Sequence, residues 1–177
     1  MTKKELRTIL KLRNLSLTAD ARAEASVRIF TAVEQLPVFS DARTVAVFCS
    51  LGDEPETSRA LSRWRAGKRI VVPRVEGDAM QFYDYDPSQM CPGAFGIAEP
   101  ASSACACDAS QIDLIIVPGV AFTASGARLG RGKGFYDKYL ALPGMRASKI
   151  GVCFAHQLAA ELPAEPHDVV MDRVVTG

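Results

Sequence analysis

Four short, almost wholly apolar runs most constrain what this chain can fold into. They are Thr44-Val45-Ala46-Val47-Phe48-Cys49, Arg69-Ile70-Val71-Val72-Pro73, Asp113-Leu114-Ile115-Ile116-Val117-Pro118 and Ile150-Gly151-Val152-Cys153-Phe154. A strand turns alternate side chains to opposite faces, so a run without polar alternation needs an apolar layer on both sides. Helical stretches separate the runs, as at Ser58–Ala66 and Tyr136–Leu140. The pattern predicts a single α/β domain over residues 1–177, with a mostly parallel sheet covered on both faces by helices.

The other elements are weaker. Residues 2–14 read as a helix with Lys3, Lys4, Arg7 and Lys11 within one ~100° arc and Leu6, Ile9 and Leu10 in another. Thr18 reads as the cap of a second helix through Leu36, ended by Pro37. Met80–Tyr85 and Val169–Val175 are strand candidates, and residues 86–111 read as a long irregular connection. Hydrophobic residues at 48% and charged ones at 23% suit an ordinary globular domain. No apolar run approaches the roughly 20 residues of a membrane span, so no membrane partner is expected. The first residues lack the apolar core of a signal peptide, so a cytoplasmic protein is expected. Five cysteines, an odd number, agree with a reducing compartment. Cys105-Ala106-Cys107 lacks the spacing of a zinc knuckle.

Charge is distributed unevenly. Net charge is +1, but +4 falls in Lys3–Arg13 and +3 in Arg128–Lys138, which leaves −6 for the rest. Two basic patches on an acidic remainder suit a small anion better than nucleic acid, which is not expected as a partner. The second patch is Arg128-Leu129-Gly130-Arg131-Gly132-Lys133-Gly134-Phe135-Tyr136-Asp137. Glycines admit positive φ and close approach of a ligand to main-chain N–H groups. A helix N-terminus adds free donors, and the cations favour phosphate. Neither G-x-x-x-x-G-K-[ST] nor G-x-G-x-x-G is present, so generic nucleotide motifs fail. Ligands of open α/β sheets bind beyond the carboxyl ends of strands, which gathers Ser50–Thr57, Gly119–Asp137 and Ala155–Gln157 at one crevice.

In these residues the chain resembles the 5-formyltetrahydrofolate cyclo-ligase family. The most specific matches are Pro118-Gly119-Val120-Ala121-Phe122 and Gly126–Asp137. Lys3–Arg7, Leu51–Thr57, Phe154–Gln157 and Pro163–Asp168 follow in the right order, whereas residues 77–111 carry no usable likeness. Phe135 stands where the family more often has tyrosine, which loses a phenol hydroxyl. The resemblance implies a Rossmann-like three-layer sandwich and ATP-driven cyclisation of 5-formyltetrahydrofolate to 5,10-methenyltetrahydrofolate, with Mg²⁺ accompanying ATP. It assigns ATP to Lys3, Lys4, Arg7, Arg128, Leu129, Gly130, Arg131, Gly132, Lys133, Gly134, Phe135 and Tyr136. Leu51, Glu56, Arg131 and Phe135 fall to the folate, and Asp137 and Asp168 to the metal. Oligomeric state is left open.

The chemistry asks for the same residue types. A formamide is a poor electrophile until its oxygen is phosphorylated, and phosphoryl transfer depends on positioning and charge neutralisation. Arg131 and Lys133 are the expected catalytic cations. Glu56 is the expected carboxylate facing the pterin or the reacting amine, with a solvated acidic loop as the plainer alternative. Phe135 and Tyr136 either stack on a ligand ring or pack in the core. Asp137 and Asp168 are either metal ligands or local first-turn and turn carboxylates. His156 is expected to pack or cap rather than react. A non-catalytic phosphate-sensing domain is the competing function, although no helix-turn-helix accompanies it.

Overall fold

The computed structural model describes residues Met1–Gly177. In chain order its elements are α1 (Lys3–Leu15), α2 (Ala19–Glu34), α3 (Pro37–Asp41), β1 (Thr44–Ala46), α4 (Ser58–Trp64), β2 (Arg69–Glu76) and β3 (Ala79–Asp84). Then come β4 (Met90–Pro92), β5 (Ala98–Pro100), β6 (Ala106–Cys107), β7 (Leu114–Pro118), β8 (Ala121–Thr123) and β9 (Arg128–Leu129). The chain closes with α5 (Phe135–Leu140), β10 (Ser148–Cys153), β11 (Leu158–Ala159) and β12 (Arg173–Thr176).

Seven strands form the main sheet in the order β12-β10-β7-β1-β2-β3-β6. The pairs from β12 to β2 are parallel, and β3 and β6 add an antiparallel edge. The apolar runs divide between two layers by simple alternation. Val45, Ile70, Val72, Leu114 and Ile116 face the core built on α2 and α4, with Ile29, Phe30, Val33, Leu61 and Trp64. Ala46, Val71, Ile115 and Val117 face the other core, with Phe82, Phe122, Tyr139 and Leu140. Each fully buried aliphatic side chain contributes roughly 1.5–3 kcal/mol, so the sheet is stabilised from both faces. Gly151 of β10 is needed where it stands, because an added Cβ would lie 2.4 Å from the buried Phe122 ring.

Helix α1 takes its cap from Thr2, which accepts from the Glu5 N–H while Glu5 reaches back. It packs through Leu10 on Val120, Ala121 and Leu129, over the small sheet β11-β8-β9 rather than the main one. That placement delivers Lys3 and Arg7 to the carboxyl ends of the main strands.

Three expectations need correction. Pro37 opens α3 at its first position, where its missing N–H costs nothing, while α2 already ends at Glu34. The last strand covers only Arg173–Thr176, since the Met171 N–H bonds the Gly126 carbonyl outside any ladder. Residues 86–111 are not wholly irregular: β4 and β5 form a three-residue antiparallel pair, and β6 joins β3. No helix is long and apolar enough to cross a membrane.

Candidate active site

A crevice of about 430 Å³ opens at the carboxyl ends of the parallel strands. Phe48, Pro73 and Pro118 are among its apolar lining. Lys3 and Arg7 come from α1, Leu51 and Glu54 from the turn after β1, and the loop before α5 forms one wall. The opposite wall is the tip between β4 and β5, with Phe95 and Ile97.

The loop wall holds its shape through its own backbone. Gly132 and Gly134 adopt φ +101° and +74°, and Gly134 caps α5. The N–H groups at the start of α5 are left without intrahelical acceptors beside Lys133. Arg128, which the resemblance assigns to ATP, is buried beneath the loop. It donates from Nη1 to the Pro118 carbonyl at 3.0 Å and pairs through Nη2 with Asp137 at 3.3 Å. Its guanidinium lies 5.5 Å from the Tyr136 ring centroid, and its buried Nε has no partner. Burial pulls the Arg128 pKa down against the pull of Asp137, but a guanidinium remains charged.

Arg131 is not free either. Its Nη2 lies 2.7 Å from Asp53 and 2.9 Å from Glu54, and its Nε donates to Glu54 at 3.0 Å. Burial raises the Glu54 carboxyl above the usual range, against Arg131 and the Leu51 N–H, which donates to it at 2.8 Å. Lys3 ties Glu165 at 2.7 Å and Asp168 at 2.9 Å. Arg7 Nε donates to the Gly130 carbonyl at 2.8 Å. Lys133 has no carboxylate partner and lies 5.6 Å from the Phe95 ring, which stands 6.3 Å from that of Phe135. The lining holds five cations (Lys3, Arg7, Arg128, Arg131, Lys133) and five carboxylates (Glu54, Glu99, Asp137, Glu165, Asp168).

Most expected residues therefore meet: Lys3, Arg7, Leu51, the whole of Arg128–Asp137, and Asp168 line one crevice. Two do not. Lys4, one residue round α1 from Lys3, is exposed and outside it. Glu56 lies in a separate, smaller groove between α2 and α4, where it accepts from the Ser58 hydroxyl at 3.1 Å. Pro55 separates it from Glu54, and the turn sends Glu54 inward and Glu56 outward. The carboxylate of this turn that lines the crevice is Glu54. Residues 155–157 support rather than line the crevice: Gln157 donates to the Gly119 and Val120 carbonyls, and His156 packs against Asn14. Sequence reasoning missed Phe95, Ile97 and Glu99, which are brought in only by the β4–β5 pairing.

Asp137 lines the crevice but accepts from Arg128 and from the Val169 N–H at 3.1 Å. Across the site, Glu165, His167 and Asp168 offer ligand atoms within 4.8 Å of one another. Carboxylate oxygens beside a phosphate site are the hard donors that Mg²⁺ takes, one or two at a time with substrate phosphates. The residues fit that ion. Cys49 at the wall is no nucleophile, since burial pushes its thiol up to about 11.

Fold and site together define an α/β domain with a crevice at a sheet's carboxyl edge, lined by cations and carboxylates and by the rings of Phe95 and Phe135. Comparisons with known proteins narrow the class. The chain belongs to the 5-formyltetrahydrofolate cyclo-ligase family, whose model matches residues 1–177. It is 37% identical to the 5-formyltetrahydrofolate cyclo-ligase of Mycolicibacterium smegmatis over 142 residues, covering 76% of this chain and 73% of that one. Identity to the Escherichia coli 5-formyltetrahydrofolate cyclo-ligase is 32% over 175 residues, covering 95% and 96%. The solved 5,10-methenyltetrahydrofolate synthetase of Aquifex aeolicus superposes with a TM-score of 0.89 at 32% identity, over 99% of this chain and 90% of that one.

Proposed function

We propose that this chain catalyses the ATP-dependent cyclisation of 5-formyltetrahydrofolate to 5,10-methenyltetrahydrofolate, releasing ADP and phosphate. One observation carries the reading beyond family membership. A single crevice holds phosphate-binding cations, a buried carboxylate and an aromatic wall, so both substrates find partners within it.

The γ-phosphoryl group passes to the formyl oxygen, which becomes a leaving group. Nitrogen 10 attacks the formyl carbon, which closes the ring, its proton is released, and expulsion of phosphate forms the methenyl carbon–nitrogen double bond. Lys133 and Arg7, free of carboxylate partners, meet the phosphates first, together with the N–H groups that open α5. Arg128 holds the loop from beneath. Arg131 bridges the nucleotide loop to Glu54, so the two substrates are held against each other. Glu54 accepts from pterin N–H groups or from the reacting amine, in the role the sequence suggested for Glu56. Phe95 and Phe135 flank the ring system. Asp137, Asp168 and Glu165 would hold Mg²⁺, which supplies neutralisation of phosphate charge in a crevice whose own charges balance.

Purified protein with Mg-ATP and 5-formyltetrahydrofolate is expected to develop the near-ultraviolet absorbance of the methenyl product with matching ADP. A folded sample that yields neither product nor folate-dependent ADP overturns the reading and favours a phosphate-sensing domain.

A further inference from the structure

The turn that carries Glu54 is short of internal support. Within it, the Glu54 N–H donates to the Leu51 carbonyl at 3.2 Å, and the Leu51 N–H donates back to the Glu54 carboxylate at 2.8 Å. Three of its main-chain oxygens accept from outside. Arg22 of α2, half-buried, donates from Nε to the Glu54 carbonyl at 2.8 Å and from Nη2 to the Leu51 carbonyl at 2.9 Å. Asn14 of α1, buried, donates to the Asp53 carbonyl at 3.1 Å. Arg22 does not line the crevice. Its planar fork instead spans the two ends of the turn, a geometry that a single ammonium donor does not reproduce.

We propose that Arg22 is a positioning residue for the formyl-folate end of the crevice, fixing through the Leu51 and Glu54 carbonyls where the Glu54 carboxylate stands. The assignment rests on the activity proposed above and on Glu54 as the folate's carboxylate partner. Without the fork, the Glu54 carbonyl loses its side-chain donor and the Leu51 carbonyl keeps only the Glu54 N–H, so the turn loosens and the Glu54 carboxylate loses its fixed distance from Arg131. A displacement of about 1 Å at a reacting group costs on the order of 100-fold in rate, so a partial loss of hold is readily measured. ATP meets the other wall, whose shape comes from its glycines, and stays indifferent to Arg22.

The test is a double-mutant cycle on the full chain between Arg22→Met and Glu54→Gln, read by equilibrium titration with 5-formyltetrahydrofolate and, separately, by turnover. Alone, Arg22→Met is expected to weaken folate binding and lower kcat/KM for the folate by about tenfold, as lost charge-assisted bonds imply, with the KM for ATP within about twofold. In the Glu54→Gln background the same change is expected to cost less than about threefold, since coupled residues are not additive. Arg22→Lys recovers part of the loss. If Arg22→Met unfolds below the assay temperature, Arg22→Lys carries the cycle. Effects that multiply independently, an equal loss toward ATP, or no loss at all overturn the assignment. A wild-type chain that binds the folate without turnover overturns the proposed activity alone, and the titrations still judge Arg22. A wild-type chain that does neither overturns both.

Discussion

The two charged walls of the crevice are built in opposite ways. The Arg128–Asp137 loop takes its shape largely from its own residues, with Gly132 and Gly134 in the left-handed region and Arg128 paired to Asp137, and a single strut from α1 in Arg7 on the Gly130 carbonyl. The Leu51–Glu54 turn borrows its shape from α1 and α2, through Asn14 and Arg22. Arg131 joins them, its guanidinium fork on Asp53 and Glu54. A segment that carries its own geometry tolerates change around it, whereas one held from outside is only as rigid as its struts.

Arg128→Met puts the first half of that comparison at greatest risk. It leaves Asp137, 17% exposed, without its ion partner, and removing one member of a buried pair costs about 3 kcal/mol or more. Guanidinium unfolding of the ligand-free protein is expected to show that loss, along with at least a 100-fold fall in turnover. Unchanged stability would mean that the glycines alone shape the wall.

Neighbouring carboxylates sharpen the second half. Glu54→Gln is expected to lower folate turnover by about tenfold or more, while Glu56→Gln stays within about twofold of wild type. Glu54 also sets a pH test. Burial raises its folded pKa, so the protonated form contributes stability that is full below the unfolded pKa and is lost as pH rises through the raised value. Acidification therefore neutralises Glu54 without loss of stability from this group. The acid limb of folate kcat/KM is expected above the ordinary glutamate value of about 4.3, with circular dichroism unchanged across it. Asp168 behaves oppositely: burial would raise it, but Lys3 and the Glu165 N–H outweigh burial and hold it below the usual range. A limb that survives in Glu54→Gln belongs to another group.

The smallest structural effect is expected of Lys133→Ala. The side chain is exposed and has no carboxylate partner, so thermal stability should not change, while kcat/KM for ATP falls by about tenfold. A shift in unfolding temperature would show that its contact with the Phe95 ring is structural.

What was legible in the sequence follows the same division. The parallel sheet could be read because Val45, Ile70, Leu114 and Ile150 sit in runs that need cover on both faces. The glycine loop could be read because its residue types impose its conformation. Glu54 and Glu56 could not be told apart, since both stand in one acidic stretch and only the path of the chain after the Gly52–Asp53 turn assigns them to different grooves. The ion pairs that hold Arg131 could not be read, because its partners Glu54 and Asp53 are 77 and 78 residues away. Phe95 was hidden for a related reason: a three-residue strand pair, with little pattern of its own, carries it to the crevice.

The equal numbers of cations and carboxylates along the crevice have a kinetic consequence. A lining with no net formal charge projects little field into solution, so an approaching polyphosphate is not steered from afar as it would be by a uniformly basic cleft. Encounter is then governed by diffusion and shape, and discrimination is deferred to contact, when phosphate oxygens compete with Glu165 and Asp168 for Lys3. Such a site is quiet toward other anions in bulk solution and selective only at close range, where a ligand brings both the charge to displace a carboxylate and the ring to fill the aromatic wall.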